Sequence, residues 1–240
     1  HEVWTRADNG RLYRAPISSD ANILDLGTGS GEWANELADN NGSCKVLGID
    51  ICPMQPNLVN PRVQFMLENF DSPEYEEPQR RYDYIHARDL AGSVTDWPEL
   101  LGKAFRATRP GGWVEIGQVD INPETNGELD PNLGWWVENI IHAGERSKKS
   151  FDICGRLEGW VKGAGFVNVK KIIIPVQVGC IPDDMDQLGK LNQERFLKEL
   201  DGHSYRPLIG TLGMNANRVQ AALVGVRQAI KGAQNVQHNL

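Results

Sequence analysis

Cysteines are few in this sequence, and none lies in a pattern typical of a metal site. Four are spread over 240 residues, at Cys44, Cys52, Cys154 and Cys180, with no C-x-x-C pair and no group of histidines nearby. Zinc sites and disulfide frameworks need closely spaced ligands or paired cysteines. We therefore expect no metal and no disulfide framework, and we expect a reducing, intracellular compartment.

The chain also lacks an excess of basic residues. Its 25 Lys and Arg are outnumbered by 32 Asp and Glu, which gives a formal net charge of −7. Proteins that bind nucleic acids usually carry a basic stripe that neutralises phosphates. Long apolar runs are missing as well, since no stretch approaches the ~20 residues that a membrane span requires. We expect neither nucleic acid nor membrane as a partner.

A glycine-rich turn follows the first apolar strand. Residues 23–31 read I-L-D-L-G-T-G-S-G and lead into a helical pattern at 32–38. Alternating glycines let the backbone bend sharply and approach a ligand closely, and the first N–H groups of a helix can hold an anionic group. The dinucleotide fingerprint G-x-G-x-x-G is not met, because Glu32 occupies the place of its third glycine. This disfavours NAD but still predicts a ligand with a carboxylate or phosphate.

Strand and helix signals alternate along the chain, which predicts one α/β domain over 1–240 with an open, mostly parallel sheet. The connection 71–81 is rich in Pro and Glu and is predicted as a loop. After the last helix we expect no complete strand, with 236–240 as at most the beginning of one. Strands are predicted at 22–26, 45–50, 62–67, 82–86, 112–119 and 166–174, and helices at 31–40, 97–107, 131–147, 152–164 and over most of 184–231.

Four features, in this order, resemble motifs of the seven-strand, class I methyltransferases that use S-adenosylmethionine. They are D-x-G-x-G-x-G at 25–31, a second strand ending in Asp50, a third strand running into Glu68-Asn69-Phe70, and R-P-G-G at 109–112. The resemblance implies a Rossmann-like fold with S-adenosylmethionine as cofactor and S-adenosylhomocysteine as product. It places the methionine end at the glycine turn, the ribose hydroxyls on Asp50 and the adenine near Asn69.

A longer block at 82–98, Y-D-Y-I-H-A-R-D-L-A-G-S-V-T-D-W-P, resembles fungal LaeA-like methyltransferases. The similarity extends to G-R-L-Y-R-A-P-I at 10–17, P-G-G-W-V-E at 110–115, L-E-G-W at 157–160 and A-G-F at 164–166. Two positions depart from that family, which usually has an acidic residue in place of Asn69 and a small residue in place of Phe70. An Asn oxygen can still accept from the adenine amino group, and Phe70 either stacks beside the ring or fills the core.

The resemblance implies methylation of a small-molecule secondary metabolite, and oxygen is the acceptor atom that we expect. Two alternatives stay open. In the first, the protein is a regulator that acts through a velvet-type partner, which would place it in the nucleus rather than the cytoplasm. In the second, it binds S-adenosylmethionine without transferring its methyl group and catalyses a cyclisation.

Predicted site residues lie at the carboxyl ends of the strands, where open α/β sheets bind ligands. His86 is the candidate catalytic base, with a structural or cofactor-side role as its alternative. Core packing is the alternative for Trp135 and Trp136, and an ion pair with Asp89 is the alternative for Arg88. The cofactor-binding residues are predicted to be Asp25, Gly27, Thr28, Gly29, Gly31, Asp50, Ile51, Asn69, Phe70, His86 and Ala87, and the substrate-binding residues Tyr13, Arg88, Gln118, Trp135 and Trp136.

These assignments divide the predicted domain by role. Residues 21–120 form the cofactor-binding core, and 1–20 form a turn-containing segment that serves as a lid. Residues 121–150 and 183–215 are helical insertions on the substrate side.

Overall fold

The computed structural model describes residues 1–57, 59–76, 78–179, 187–233 and 236–240. The chain divides into two compact units, which are described separately. The first unit consists of His1, Arg11–Gln118 and Arg156–Lys171, and the second of Glu2–Gly10, Val119–Gly155 and Ile172–Leu240.

Helices and strands alternate along most of the chain. The helices are α1 (Glu2–Ala7), α2 (Glu32–Asn40), α3 (Trp97–Ala107), α4 (Pro131–Ser147), α5 (Cys154–Gly163), α6 (Leu188–Tyr205) and α7 (Ala216–Lys231), with a π-helical turn at Arg206–Thr211. The strands are β1 (Asn22–Leu26), β2 (Lys45–Asp50), β3 (Val63–Leu67), β4 (Tyr82–Arg88), β5 (Thr108–Gly117), β6 (Glu124–Thr125), β7 (Pro175–Gln177) and β8 (Val236–Asn239).

The first unit is built on a five-stranded sheet in the order β3-β2-β1-β4-β5. All neighbouring strands are parallel, which confirms the predicted open sheet. Strands of such sheets are near-continuous apolar runs because both faces are usually covered, and β1 and β4 are buried along most of their length. Since the strands are parallel, Leu26, Asp50 and Arg88 end their strands at one edge of the sheet, where the glycine turn lies.

Helix α2 packs on this sheet through one side. Its buried residues Trp33, Ala34, Leu37 and Ala38 follow helical spacing and join a core cluster with residues of β1, β2, β3 and β4. Helix α3 begins at the predicted place because the Asp96 carboxylate caps it, accepting from the Glu99 N–H.

The predicted sixth strand at 166–174 is wrong. That range contains no strand, and β7 covers only Pro175–Gln177. The antiparallel pairing of β7 with β8 extends one residue further, where Ile174 and Leu240 exchange backbone hydrogen bonds. Ile172 and Ile173 are exposed. The apolar run therefore has the residue types of a strand but not the backbone hydrogen bonds to a neighbouring strand.

The described residues of the second unit form a three-stranded antiparallel sheet and four helices. The sheet order is β6-β8-β7, so a strand does form at Val236–Asn239, where only its beginning was predicted. The strands thus divide into five and three, rather than one sheet of seven. Helices α4, α6 and α7 and the π-helical turn enclose a core that includes Trp136, Ile140, Leu200 and Leu223.

The N-terminal segment contains the predicted turn and, before it, a helix that was not predicted. Residues 2–7 are helical, and the turn follows at Asn9 and Gly10, which have φ of 54° and 79°. Val3 and Trp4 pack into a small cluster of the second unit. A lid function of 1–20 stays a prediction.

Candidate functional site

Three glycines shape the turn between β1 and α2. Gly27, Gly29 and Gly31 have φ of 69°, 56° and 77°, in the left-handed region that favours glycine. A Cβ on Gly27 would lie 2.4 Å from Leu90 Cδ2, and one on Gly31 would lie 2.3 Å from Phe65 Cζ. At Gly29, by contrast, nothing in the described part of the chain lies within 4 Å of such a Cβ. Internal packing therefore excludes side chains at two positions, whereas Gly29 borders open space.

Helix α2 starts directly after this turn. Its N-cap residue Gly31 makes no side-chain cap hydrogen bond, so the first N–H groups of α2 are not capped by that residue. The helix dipole favours an anionic group at such an end. The structure thus places the glycine turn at a helix N-terminus, as predicted.

Asp50 ends β2 beside the turn. Its Oδ2 accepts from the Gly29 N–H and its Oδ1 accepts from the Cys52 N–H, both at 2.9 Å. An ionised carboxylate offers about four acceptor positions, so each oxygen keeps one for a further donor. Asp50 can therefore hold the turn and bind two hydroxyl groups at once.

Gln55 belongs to the same site, and the sequence analysis did not find it. Its Nε2 donates to the Gly29 carbonyl at 2.7 Å and to the Cys52 carbonyl at 3.0 Å. Gln55 lies in the irregular segment after β2, where a single glutamine matches no motif. Only the folded backbone brings it to Gly29.

His86 and Asp25 form a buried pair below the turn. They are cross-strand neighbours in β4 and β1, and His86 Nδ1 lies 2.7 Å from Asp25 Oδ1. The Trp33 ring stacks on the imidazole, with the ring centroids 3.7 Å apart and an angle of 7° between the planes. Trp33 Nε1 donates to the Leu12 carbonyl. One ring nitrogen and one ring face of His86 are thus engaged by the protein itself.

Two further groups near this pair are electrostatically perturbed. Burial raises the pKa of the Tyr84 phenol well above its usual value, and the negative charge of Glu115 adds to the effect. Burial lowers the pKa of Arg88, while the nearby carboxylates of Asp89 and Asp25 oppose that shift. Arg88 Nη2 also lies 2.9 Å from His1 Nδ1.

The remaining predicted cofactor residues vary in exposure. Ile51 follows Asp50 and is 63% exposed, which suits an apolar contact with a ligand. Asn69 Oδ1 already accepts from the Asp71 N–H at 3.1 Å, leaving its Nδ2 and a second lone pair. Phe70 is buried with its ring beside Gly27, which favours the core-filling alternative. Thr28 and Ala87 are also buried.

The predicted substrate residues are divided between the two units. Tyr13 donates its hydroxyl to Asn41 Oδ1, and Gln118 Oε1 accepts from the Ala91 N–H, both within the first unit. In the second unit, Trp136 is buried and donates to Ser204 Oγ at 2.8 Å, while Trp135 packs against the same core. This position favours core packing for both tryptophans, and the substrate roles of all five residues stay predictions.

No group of three or more His, Cys, Asp or Glu side chains suited to a metal ion occurs among the described residues. The helices within the same ranges include none long and apolar enough to cross a membrane.

Solved structures show the same fold. The chain superposes on phosphoethanolamine N-methyltransferase 2 of Haemonchus contortus with a TM-score of 0.55 and 18% identity, covering 99% of this chain and 49% of that one. It superposes on the [4+2]-cyclase SpnF with a TM-score of 0.56 and 18% identity, covering 94% and 74% of the two chains. At such identities the likeness concerns the fold, which is the class I methyltransferase fold.

Sequence relatives define the family. A profile described as "Methyltransferase domain" matches residues 4–171. The chain is 31% identical to methyltransferase pytC of Aspergillus terreus over 235 residues, which is 95% of this chain and 72% of that protein. It is 29% identical to the secondary metabolism regulator LAE1 of Cochliobolus heterostrophus, covering 96% and 78%. The chain belongs to the methyltransferase-domain family, and it is a methyltransferase that depends on S-adenosylmethionine.

Proposed function

We propose that the first unit binds S-adenosylmethionine over the glycine turn and that the protein methylates an oxygen atom of a small-molecule fungal secondary metabolite. The observation that carries this proposal is the contrast between the three glycines. Packing accounts for Gly27 and Gly31, because a Cβ there would collide with Leu90 or Phe65. Gly29 borders open space, so a ligand has room to approach its backbone there.

The surrounding residues fit the parts of this cofactor. The N–H groups that begin α2 suit the carboxylate of the methionine end. The Asp50 carboxylate retains acceptor positions for two ribose hydroxyls. Exposed Ile51 can contact the adenine face, and the Asn69 side chain can bond its polar edge.

When bound, S-adenosylmethionine supplies a methyl group already activated by its sulfonium. The chain's residues then orient the acceptor and exclude water. The bond from Nδ1 to Asp25 and the stacking on Trp33 fix the His86 ring, which supports a structural role, while its role as a base stays a prediction. A base is needed only where the acceptor hydroxyl must lose its proton.

An apolar, uncharged acceptor suits the charge of the protein. With a formal net charge of −7, the surface repels polyanions such as nucleic acids. Several relatives carry methyltransferase names, among them pytC, cpsF and tdiE of Aspergillus and Emericella species. Their names support a methyltransferase, and the regulators among the relatives are named for secondary metabolism.

A regulatory role is the second candidate, because other relatives over most of the chain are named secondary metabolism regulators. In that role the protein would act through a velvet-type partner and turn over little or no metabolite. A cyclase is a third, since SpnF shares the fold.

One experiment separates these functions. The protein is incubated with S-adenosylmethionine and a fungal metabolite extract, and in parallel with core histones, while S-adenosylhomocysteine and methylated products are followed by mass spectrometry. We expect S-adenosylhomocysteine release with a methylated small molecule, and neither with a Gly29→Val variant. Stoichiometric histone methylation without metabolite turnover would favour the regulator. An isomerised metabolite without S-adenosylhomocysteine would favour the cyclase.

A further inference from the structure

Gly29 and Cys52 are joined twice by side chains of the segment around β2. Asp50 accepts from the N–H groups of both residues, with each N···O distance 2.9 Å. Gln55 donates to the carbonyl oxygens of both, at 2.7 Å and 3.0 Å. One acceptor and one donor side chain therefore bridge the same two backbone residues. We call this arrangement the double clamp.

The glycine turn needs such a restraint from outside. Gly29 has no side chain of its own and loses more conformational freedom on ordering than other residues. No described atom lies within 4 Å of a Cβ built on Gly29, so side-chain packing does not restrain the residue on that side. The clamp holds both polar groups of Gly29 in one orientation through two side chains.

We propose that Gln55 is a positioning residue for the cofactor site, acting through Gly29 and Cys52. It fixes the glycine turn against the turn after β2, and it thereby keeps the Asp50 oxygens aimed at hydroxyl groups. Ordering the site before binding removes part of the entropic cost of binding. This inference rests on the proposed binding of S-adenosylmethionine. It requires no direct contact between Gln55 and the cofactor.

Two substitutions test the donor without changing the size of the side chain much. Gln55→Glu replaces the amide donor with an anion that faces two carbonyl oxygens, which is repulsive. Gln55→Met keeps an unbranched side chain and removes the polar group. Gln79→Glu serves as the matched control, because it makes the same charge change at an exposed glutamine of the first unit.

The first measurement needs no ligand. Hydrogen exchange of peptides covering 27–31 and 50–55 is compared between wild type and variants, with the melting temperature as a check on the global fold. We expect exchange at 27–31 to become at least several-fold faster in both Gln55 variants and to stay unchanged in Gln79→Glu. Loss of hydrogen bonds that close a local segment lowers its opening free energy.

The second measurement is the affinity for S-adenosylhomocysteine by calorimetry. We expect Gln55→Glu to bind at least tenfold more weakly than wild type. Gln55→Met should bind about three- to tenfold more weakly, because it loses both neutral hydrogen bonds of the amide but introduces no repulsion. Lowering the pH through the titration of the introduced carboxyl group should restore part of the affinity only in Gln55→Glu, because a protonated carboxyl can donate again. In turnover, KM for S-adenosylmethionine should rise while kcat changes little.

The outcomes distinguish the two proposals. A wild-type protein that does not bind S-adenosylhomocysteine contradicts the proposed function, while the exchange data still decide whether Gln55 orders the turn. Wild-type exchange at 27–31 together with wild-type affinity in both Gln55 variants would overturn the double clamp.

Discussion

Polar side chains outside the buried His86–Asp25 pair serve different purposes in the two units. In the first unit, polar side chains at the strand ends bond to the backbone of loops, as Asp50 and Gln55 do at Gly29. In the second unit, buried polar groups lie between helices and strands, as in the Trp136–Ser204 pair and in the bond from Asn192 to the Gln177 carbonyl. The first arrangement fixes a surface that a ligand can reach, and the second fixes a core.

This difference indicates where chemistry resides. A loop with positive φ needs polar side chains to hold its peptide groups, and the same groups then face a ligand. In a polar pair inside a core, the two residues satisfy each other's hydrogen-bonding groups. Such a pair contributes to the stability of the core and not to ligand binding. Substitutions in the two units should therefore separate binding from stability.

Gly29→Val is the strongest test of the first unit. A valine Cβ would point into the open space beside Gly29, where the methionine end is proposed to lie. We expect binding of S-adenosylhomocysteine to fall more than a hundredfold in calorimetry, with a loss of stability of about 1–2 kcal/mol from the left-handed backbone.

Gly111→Val is the matched control for this strain. Gly111 has a φ of 81°, and its Cβ would also meet nothing within 4 Å in the described residues. That variant should lose similar stability and keep its affinity. A folded Gly29→Val protein with wild-type affinity would remove the turn from the site.

Asp50→Ala should have the next largest effect. The variant loses acceptors for two hydroxyls, at roughly 1.5–3 kcal/mol for each hydrogen bond to a charged group, and it also loses half of the double clamp. We expect at least tenfold weaker binding of S-adenosylhomocysteine. The affinity of Asp50→Asn should lie between those of wild type and Asp50→Ala. Unchanged affinity in Asp50→Ala would exclude Asp50 from the site.

The sequence predicted the first unit well because its signals are local. The apolar runs of β1, β2 and β4 and the glycine turn each act over a few residues. The strand predicted at 166–174 was wrong for a physical reason. A strand needs a partner strand, and the residue types of Ile172 and Ile173 do not tell whether one lies beside them.

The site was predicted in part. Glycine spacing and the acid at the end of β2 predicted Gly29 and Asp50 as cofactor-binding residues, because motifs record residue types at fixed distances. The structure brings the two residues together, and their binding of a cofactor stays a prediction. Gln55 and the stacking of Trp33 on His86 depend on how the backbone folds back, and no spacing encodes them. Such supporting contacts need the structure.

Ser204→Ala tests the second unit. The Trp136 indole N–H donates to Ser204 Oγ, and both residues are buried. Without this acceptor a buried donor stays unpaired, which costs about 1–3 kcal/mol. We expect that loss in urea unfolding, with unchanged affinity for S-adenosylhomocysteine. The double variant with Trp136→Phe should lose less stability than the sum of the two single variants, because it leaves no indole donor unpaired. A Ser204→Ala protein with wild-type stability would show that the pair does not support the core.

His238→Phe should have the smallest effect, and it concerns pH. Burial, with a contribution from the Arg195 charge, lowers the pKa of His238 from 6.5 to about 3. Between these values the unfolded chain binds a proton that the folded chain does not, so stability falls as the pH falls. From pH 7 to pH 5.5 this group should cost about 1 kcal/mol in the free energy of unfolding.

A phenylalanine at position 238 packs beside Phe196, whose ring centroid lies 5.0 Å from that of His238, and it cannot titrate. The variant should therefore lose less stability than wild type over this pH range. His142→Gln, at an exposed position of α4, is the control and should keep the wild-type slope. Urea unfolding at the two pH values measures the difference, and equal slopes in wild type and His238→Phe would contradict a neutral, buried His238.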